Sequence, residues 1–427
     1  VMTTTLIRGA RIIDPATDRD APGDILIVGD TIEAVGQNLS TPTSAQTLDA
    51  KGLCLAPGLI DLRVKTGEPG EEHRETIATA SAAAVAGGIT TMAIMPDTDP
   101  VIDDIALVEF IARRGAARGR NRICPIGALT QGLNGDAMAE LGLMREAGAL
   151  YFSNGENAVP NAGVMKRLLA YATSVNATVS VRPIDAALAG SGVMNAGALS
   201  AKMGLSGIGH DAEIVAGQRD ILLAENAGAT LLLDQVSTPE LLSLIQASRQ
   251  RGSNVHCTVA AHHLFFDEAD VGDYLTYCKV LPPFRSEAAR LALLEAVNNG
   301  SVTAVVSAHD PQPPEEKRLP FEEASFGAAG LETLLPAMVT LAHQGHFDLL
   351  HAIRLLTTGP ADLFSLPRGR LIEGAPADLV LFDADTVWTC DGEDLISRST
   401  NSPFDDQELR GQVHRTMVAG EWVFERS

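Results

Sequence analysis

The sequence is poor in aromatic residues and in positive charge. Aromatic residues make up 4% of the 427 residues, whereas hydrophobic residues make up 45%, so the core has to be built mainly from Ala, Val, Leu and Ile. The 32 Lys and Arg residues are outnumbered by 54 Asp and Glu residues, which gives a formal net charge of −22. A surface with this charge repels nucleic acid phosphates and anionic membranes, so we expect neither as a partner.

Cysteine is scarce, and long hydrophobic runs are absent. The five cysteines are scattered and form no C-x-x-C motif, which excludes a zinc ribbon and is typical of a reduced protein. No segment approaches the ~18 consecutive apolar residues of a membrane-spanning helix. We therefore expect a soluble, cytoplasmic protein.

Strand and helix patterns alternate through the middle of the chain, as in parallel βα units. Eight strands are predicted, near 59–64, 90–95, 123–128, 149–152, 178–181, 230–233, 254–259 and 303–306. Eight strands close a barrel, whereas the alternative, an open doubly wound sheet, lacks a G-x-G-x-x-G loop after any early strand. We predict an α/β fold with a (β/α)8 TIM-like barrel over 57–366. Alternating apolar segments in 1–56 and 367–427 predict a small β-sandwich domain built from both ends.

The segment Pro57–Lys65 combines a strand pattern with two cations. Arg63 and Lys65 are two residues apart, so their side chains lie on the same side of the strand. The segment is similar to the first barrel strand of the amidohydrolase superfamily, where P-G-x-I-D-x-H-x-H presents two metal-binding histidines. Guanidinium and ammonium groups have no free lone pair and cannot replace imidazole as metal ligands.

Further landmarks follow in the order found in one family. They are Glu68-Pro69-Gly70, Ala86–Thr91, Met95-Pro96, Ala189–Asn195, His262-His263-Leu264, Lys279-Val280 with Pro282-Pro283, and Gly330–Thr333. The chain resembles the dihydroorotases, cyclic amidohydrolases of pyrimidine biosynthesis, over nearly its whole length. The Gly-Val-Met-Asn and Lys-Val-x-Pro-Pro segments favour this family over hydantoinases or allantoinases.

The resemblance implies a fold of the metal-dependent hydrolase type and a reaction that this sequence does not support. In the active family two divalent metals, usually zinc, activate a hydroxide that attacks the ring carbonyl of dihydroorotate. The positions that correspond to the metal ligands are Arg63, Lys65, Asn154, Arg182, Gln235 and Ala308. Those that correspond to substrate contacts are Gly67, Asp97 and Leu281. Because the resemblance implies that all these positions are replaced, we predict a pseudoenzyme with no catalytic residues and with no bound metal or other cofactor.

The replacements leave two interpretations of the barrel mouth open. Arg63, Lys65 and Arg182 either pair internally with carboxylates, with Asp61, Asp97, Asp185 and Asp234 as the candidates, or form an anion-binding site. The four histidines of the late barrel strands, His256, His262, His263 and His309, are interpreted as structural because no two have a ligand spacing opposite a carboxylate. No G-x-S-x-G motif supplies a nucleophile.

Three functions are compatible with these observations. The first is a non-catalytic structural or regulatory partner of aspartate transcarbamoylase, because catalytically inactive dihydroorotase relatives accompany that enzyme in certain bacteria. A homo-oligomer is expected with it. The alternative is an active cyclic amidohydrolase that forms or hydrolyses a cyclic amide C–N bond with a relocated or degenerate metal site, or without a metal. The third is a sensor of small anions.

Overall fold

The computed structural model describes residues 3–43 and 45–426, and its elements alternate as the sequence pattern predicts. The strands are β1 (Thr4–Asp14), β2 (Arg19–Val28), β3 (Thr31–Gly36), β4 (Gln46–Asp49), β5 (Cys54–Pro57), β6 (Leu59–Val64), β7 (Ile89–Ile94), β8 (Arg122–Pro125), β9 (Gly127–Ala128), β10 (Phe152–Ser153), β11 (Val179–Val181), β12 (Met194–Asn195), β13 (Gly207–Ile208), β14 (Leu231–Leu233), β15 (Val255–Ala260), β16 (Ala304–Val306), β17 (Leu379–Thr389), β18 (Glu408–Val418) and β19 (Glu421–Glu425).

Helices occupy most of the connections between the middle strands. They are α1 (Ile77–Ala86), α2 (Ile105–Arg118), α3 (Leu141–Glu146), α4 (Ala162–Ser174), α5 (Ala186–Ala189), α6 (Ala198–Met203), α7 (His210–Ala227), α8 (Pro239–Gln250), α9 (Ala261–Phe265), α10 (Glu287–Asn298), α11 (Pro314–Lys317), α12 (Leu334–His343), α13 (Leu349–Leu356) and α14 (Thr358–Leu363). Short 3₁₀ helices span Gln131–Leu133, Glu268–Val271, Thr276–Cys278 and Gly392–Asp394. Among the described residues, no helix is both long and apolar enough to cross a membrane.

Strands from both ends of the chain form one sheet. Its order is β19-β18-β17-β5-β1-β2-β3, and β4 also pairs with β1. The two ends meet where β17 runs antiparallel to β5, with Leu379 opposite Pro57. Ile7, Ile25 and Leu381 are among the buried residues of this sheet's own core, which explains why distant segments with similar alternating patterns associate.

The parallel strands of the middle region form the barrel. β6, β7 and β8 pair in order, and β9, β10, β11, β14, β15 and β16 form the second run. Ile126 alone separates β8 from β9, and a parallel bridge between Val64 and His309 joins the end of β6 to the segment after β16. All residues of β6 and β7 are buried, as expected for strands covered on both faces.

The predicted fold class is confirmed: a mixed α/β barrel carries a β domain. The boundaries at residues 56/57 and 366/367 stay a prediction. Side-chain caps define several barrel helices, because the side chains of Asp104, Asn161 and Ser286 accept hydrogen bonds from first-turn backbone N–H groups of α2, α4 and α10. Short strands and capped helices bring the segments after the strands to one end of the barrel, which we call the mouth.

Candidate functional site

The six positions predicted to have lost metal ligands lie at or just after the carboxyl ends of barrel strands. Arg63 is within β6, and Lys65 follows that strand. The other four positions, Asn154, Arg182, Gln235 and Ala308, follow β10, β11, β14 and β16. Five of the six residues are 1–4% exposed, and Lys65 is partly exposed. Three of the positions that correspond to metal ligands are thus occupied by large cations, and two of these, Arg63 and Arg182, are buried in the mouth.

Arg63 is held by two carboxylates. Its Nε donates to Asp234 Oδ2 at 2.7 Å, and its Nη2 donates to Glu156 Oε1 at 2.6 Å. Asp234 is fixed in turn by the Thr258 hydroxyl, which donates to Oδ1 at 2.7 Å. Burial alone would lower the pKa of Arg63, but Asp234 and the neighbouring carboxylates outweigh it and leave that pKa raised. Arg63 is thus a charged residue inside the barrel.

Lys65 and Arg182 meet the same glutamate. Lys65 Nζ lies 2.8 Å from Asp97 Oδ2, 2.9 Å from Glu156 Oε1 and 3.4 Å from Asp310 Oδ2. Arg182 Nη2 forms an ion pair with Glu156 Oε2, and its Nη1 donates to the Leu281 carbonyl at 3.0 Å. The three cations therefore converge on one carboxylate. We call Arg63, Lys65 and Arg182 the cation triad.

Burial acts differently on the members of this network. Burial, together with the positive charge of Arg63, lowers the pKa of Arg182 to about 9. For Asp97, burial alone would raise the pKa, but Lys65 beside it lowers the pKa below its ordinary value. The mouth therefore contains ionised groups that stabilise one another in a largely dehydrated space.

The internal partners differ in part from those predicted. Asp97 and Asp234 do pair with the triad, whereas the Asp185 side chain caps α5 by accepting from the N–H groups of Ala187 and Leu188. Sequence reasoning missed Glu156, in the loop between β10 and α4, and Asp310, after β16. Asp310 stands two residues beyond Ala308, the position that corresponds to the family aspartate, and this shifted acid was the available signal.

Asp61 lies beneath the triad and is not one of its salt-bridge partners. Its Oδ1 accepts from the backbone N–H groups of Arg63 and Ser307, both at 3.2 Å. Burial raises the pKa of Asp61 to about 6 from its ordinary value of 3.8. A raised folded-state pKa contributes stability that is fully present below the unfolded pKa and is lost as the pH rises through the folded pKa.

Replacing Asp61 with asparagine should remove this pH-dependent loss, because asparagine keeps the acceptor oxygen and does not ionise. We expect the difference in free energy of unfolding between Asp61→Asn and the wild type to shift by about 2–3 kcal/mol in favour of the variant as the pH rises from 4 to 7. Urea denaturation at each pH measures it. The exposed Asp273→Asn is the matched control and should follow the wild type. Parallel curves for Asp61→Asn and the wild type would contradict the prediction.

The other three positions that correspond to metal ligands contact neighbouring residues of the barrel. Asn154 Oδ1 accepts from the Thr130 hydroxyl at 2.6 Å, and its Nδ2 donates to the Leu133 carbonyl. The backbone N–H of Gln235 donates to the Thr258 hydroxyl, and Ala308 belongs to an apolar cluster. These residues fill the mouth.

The positions that correspond to substrate contacts offer little to a substrate. Gly67 has a φ of +70° and no side chain, and a Cβ there would lie 2.5 Å from the Glu71 carbonyl oxygen. Leu281 contributes its backbone carbonyl to Arg182. Asp97 adds a negative charge that is used by Lys65. A substrate at this mouth would have to be bound by other groups.

The four histidines lie apart from one another or pack as structural residues. His256, near the amino end of β15, lines a cavity of about 670 Å³ at the end of the barrel opposite the mouth. The rings of His262 and His263 are 4.7 Å apart against Phe284, and burial lowers both pKa values, that of His263 to about 4. His309 accepts at Nδ1 from the backbone N–H of Gly330, and its Nε2 lies 3.6 Å from a Glu75 carboxylate oxygen.

Comparisons with known proteins place this architecture in a family. Residues 52–241 match the family described as dihydro-orotase-like, and residues 210–423 match the amidohydrolase family. A dihydroorotase from Syntrophotalea carbinolica is 38% identical over 422 residues, covering 99% of both chains. A dihydroorotase from Geobacter sp. (strain M21) is 37% identical over 420 residues, covering 98% of this chain and 99% of the relative. This chain belongs to the dihydroorotase family of amidohydrolases.

Solved structures agree on the fold. The L-hydantoinase (dihydropyrimidinase) from Arthrobacter aurescens superposes with a TM-score of 0.89 at 26% identity, covering 100% of this chain and 97% of that one. The dihydropyrimidinase from Brevibacillus agri NCHU1002 has a TM-score of 0.85 at 20% identity, covering 99% and 95%. The second likeness concerns the fold alone. The cyclic amidohydrolase barrel is thus shared by this dihydroorotase-family chain and by hydantoinases.

The interpretation of the chain as a pseudoenzyme without a cofactor is contradicted by these findings. Relatives 36–38% identical over 97–99% of the chain are named dihydroorotase, the name of an enzyme, and this contradicts the pseudoenzyme interpretation. The family is also metal-dependent, so the prediction of no cofactor is wrong at the level of the family. Replacement of the known ligand positions is therefore not sufficient to infer that a member of this family has lost its activity.

The family's zinc does not fit the residues at these positions. Arg63, Lys65 and Arg182 carry no lone pair for a metal, and Ala308 has no donor atom. The Asn154 side-chain oxygen already accepts a hydrogen bond from Thr130. Over residues 3–43 and 45–426, no group of three or more His, Cys, Asp and Glu side chains has a geometry that could hold a metal ion. No catalytic step through a metal follows from this mouth.

Proposed function

We propose that this protein is a cyclic amidohydrolase of the dihydroorotase type that acts at the charged mouth of its barrel. The substrate class is a small cyclic amide bearing a carboxylate, and the reaction forms or hydrolyses the ring C–N bond. Full-length similarity to dihydroorotases supports the reaction class. The observation that carries the choice of site is the convergence of the cation triad on Glu156 at the carboxyl ends of the strands.

Amide hydrolysis needs positive charge near the carbonyl oxygen and a base for the attacking water. The cation triad supplies positive charge at the mouth, which attracts a carboxylate-bearing substrate and stabilises negative charge that develops beside it. Asp310, 3.4 Å from Lys65 Nζ, is the carboxylate that we assign as the base. Asp310 also contacts Gln312. The Gln312 Nε2 group donates a hydrogen bond to Asp310 Oδ1 at 2.9 Å and orients the carboxylate.

Growth of a bacterium that lacks its own dihydroorotase gene tests the proposed reaction. Expression of this chain should restore growth without added pyrimidines, because carbamoyl aspartate would again be cyclised. The empty vector and the Asp310→Asn variant are the controls. Soluble expression without growth would contradict the proposal, as would turnover of hydantoin without turnover of dihydroorotate by the purified protein.

Association with aspartate transcarbamoylase stays a prediction that follows from the family resemblance. An α/β barrel has a broad helical exterior, so a protein interface is compatible with an active mouth. We expect the chain to copurify with the transcarbamoylase of the same genome, and the mass of the assembly reports whether the chain is itself a homo-oligomer. Separate elution of the two proteins would contradict the association. A cytoplasmic location, expected from five unpaired cysteines, is likewise a proposal.

A further inference from the structure

Glu156 occupies the centre of the cation triad. Its Oε1 accepts from Arg63 Nη2 at 2.6 Å and lies 2.9 Å from Lys65 Nζ, while its Oε2 pairs with Arg182 Nη2. Both carboxylate oxygens are therefore used, and this one planar anion contacts all three cations, two of which also pair with Asp97, Asp234 or Asp310. The Glu156 carboxylate therefore occupies the position that the carboxylate of a bound small molecule would take among the three cations.

The triad is positioned by groups other than Glu156. Arg63 Nε donates to Asp234, and Lys65 lies between Asp97 and Asp310. Arg182 Nη1 donates to the Leu281 carbonyl. The cations would keep these partners if the Glu156 side chain moved away. The site is in this sense pre-organised, which lowers the cost of binding a ligand.

Glu156 is also the member of the network that can leave. Its side chain is 29% exposed, whereas those of Arg63 and Arg182 are 2% and 3% exposed. It lies in the loop of residues 154–161, outside helices and strands, and the preceding Gly155 has a φ of +62° that favours glycine. The Glu156 backbone carbonyl accepts from Arg182 at 3.3 Å, so the side chain can rotate out while the backbone stays attached.

We propose that the cation triad is a binding site for the carboxylate of a small molecule, and that Glu156 closes this site as an internal competitor. Exchanging the Glu156 carboxylate for a ligand carboxylate keeps the charge of the mouth constant. The internal group is present at a high effective concentration, so a free carboxylate binds the wild type weakly. Binding at the triad is measured directly and does not depend on turnover.

Titration with succinate at constant ionic strength, by calorimetry, tests the proposal. Glu156→Gln removes the competing charge and keeps the side-chain size, and Glu156→Ala empties the position. We expect each variant to bind succinate at least about tenfold more tightly than the wild type. Glu146→Gln, at the exposed end of α3, changes the net charge equally and should bind like the wild type.

A second change locates the site. Adding Lys65→Met to Glu156→Gln should reverse the gain, because one of the three cations is then missing. Folded Glu156→Gln and Glu156→Ala proteins that bind no more tightly than the wild type would overturn the proposal. A gain that Glu146→Gln shares, or that survives Lys65→Met, would overturn it as well, because binding would then reflect net charge or another site.

Discussion

Replacing Arg63 with methionine is expected to lower the free energy of unfolding by about 3–5 kcal/mol, because removing one member of a buried ion pair leaves its partner charged and unpaired. The Arg63 side chain is 2% exposed, and that of Asp234 is 8% exposed. Methionine preserves much of the side-chain length, so the loss reports the charge and its hydrogen bonds. Urea denaturation at pH 7, followed by circular dichroism, measures the effect.

The matched control for this experiment is an exposed arginine pair. Arg11 Nε lies 2.6 Å from Asp20 Oδ1, but the two side chains are 49% and 31% exposed. Water already solvates these charges, so Arg11→Met should cost less than about 1 kcal/mol. Similar losses for Arg63→Met and Arg11→Met would show that the interior pair has no special structural role.

Replacing Asp310 with asparagine is expected to reduce kcat by about 100-fold or more, the range for loss of a general base. Asparagine keeps the size of the side chain and an acceptor for Gln312 Nε2, but it cannot take a proton from water. A base acts in the chemical step, so the reduction should appear in kcat while KM changes little. Steady-state rates with dihydroorotate measure both constants.

Two further observations separate catalysis from structure at this position. Asp273→Asn replaces an exposed aspartate and should retain the wild-type rate. Asp310→Glu restores a carboxylate and should recover part of the activity. Equal rates for the wild type and Asp310→Asn would remove Asp310 from the mechanism and leave another carboxylate of the mouth as the base.

The barrel could be predicted from the sequence because its strands are short apolar segments between helical patterns. The predicted strand 59–64 has the same bounds as β6. The predicted strand at 149–152 begins too early, since pairing with β9 and β11 limits β10 to Phe152 and Ser153. The Leu150 N–H donates to the Pro125 carbonyl and the Tyr151 carbonyl accepts from the Gly127 N–H, so the segment before Phe152 is already hydrogen-bonded to its neighbour and the pattern alone cannot tell where the regular ladder begins.

The contents of the mouth were only partly predictable. Arg63 and Lys65 could be placed because they stand in a recognisable strand motif. Glu156 could not, because it lies in an irregular loop, 93 residues from Arg63 and 26 from Arg182 along the chain. Loops carry no periodicity that fixes where a side chain points. Without Glu156, the sequence presented internal pairing and anion binding as alternative roles of the cation triad. In the proposed account they are two states of one site, with either Glu156 or a ligand carboxylate bound to the triad.

The most direct test of the proposed function is the rate at which the purified wild-type protein interconverts dihydroorotate and carbamoyl aspartate. The protein should be prepared from a host without its own dihydroorotase, and both directions should be followed with and without added zinc. We predict turnover that is lost in Asp310→Asn and retained in Asp273→Asn. A folded wild-type protein without turnover in either direction, under both conditions, would contradict the assignment of this mouth as an amidohydrolase site.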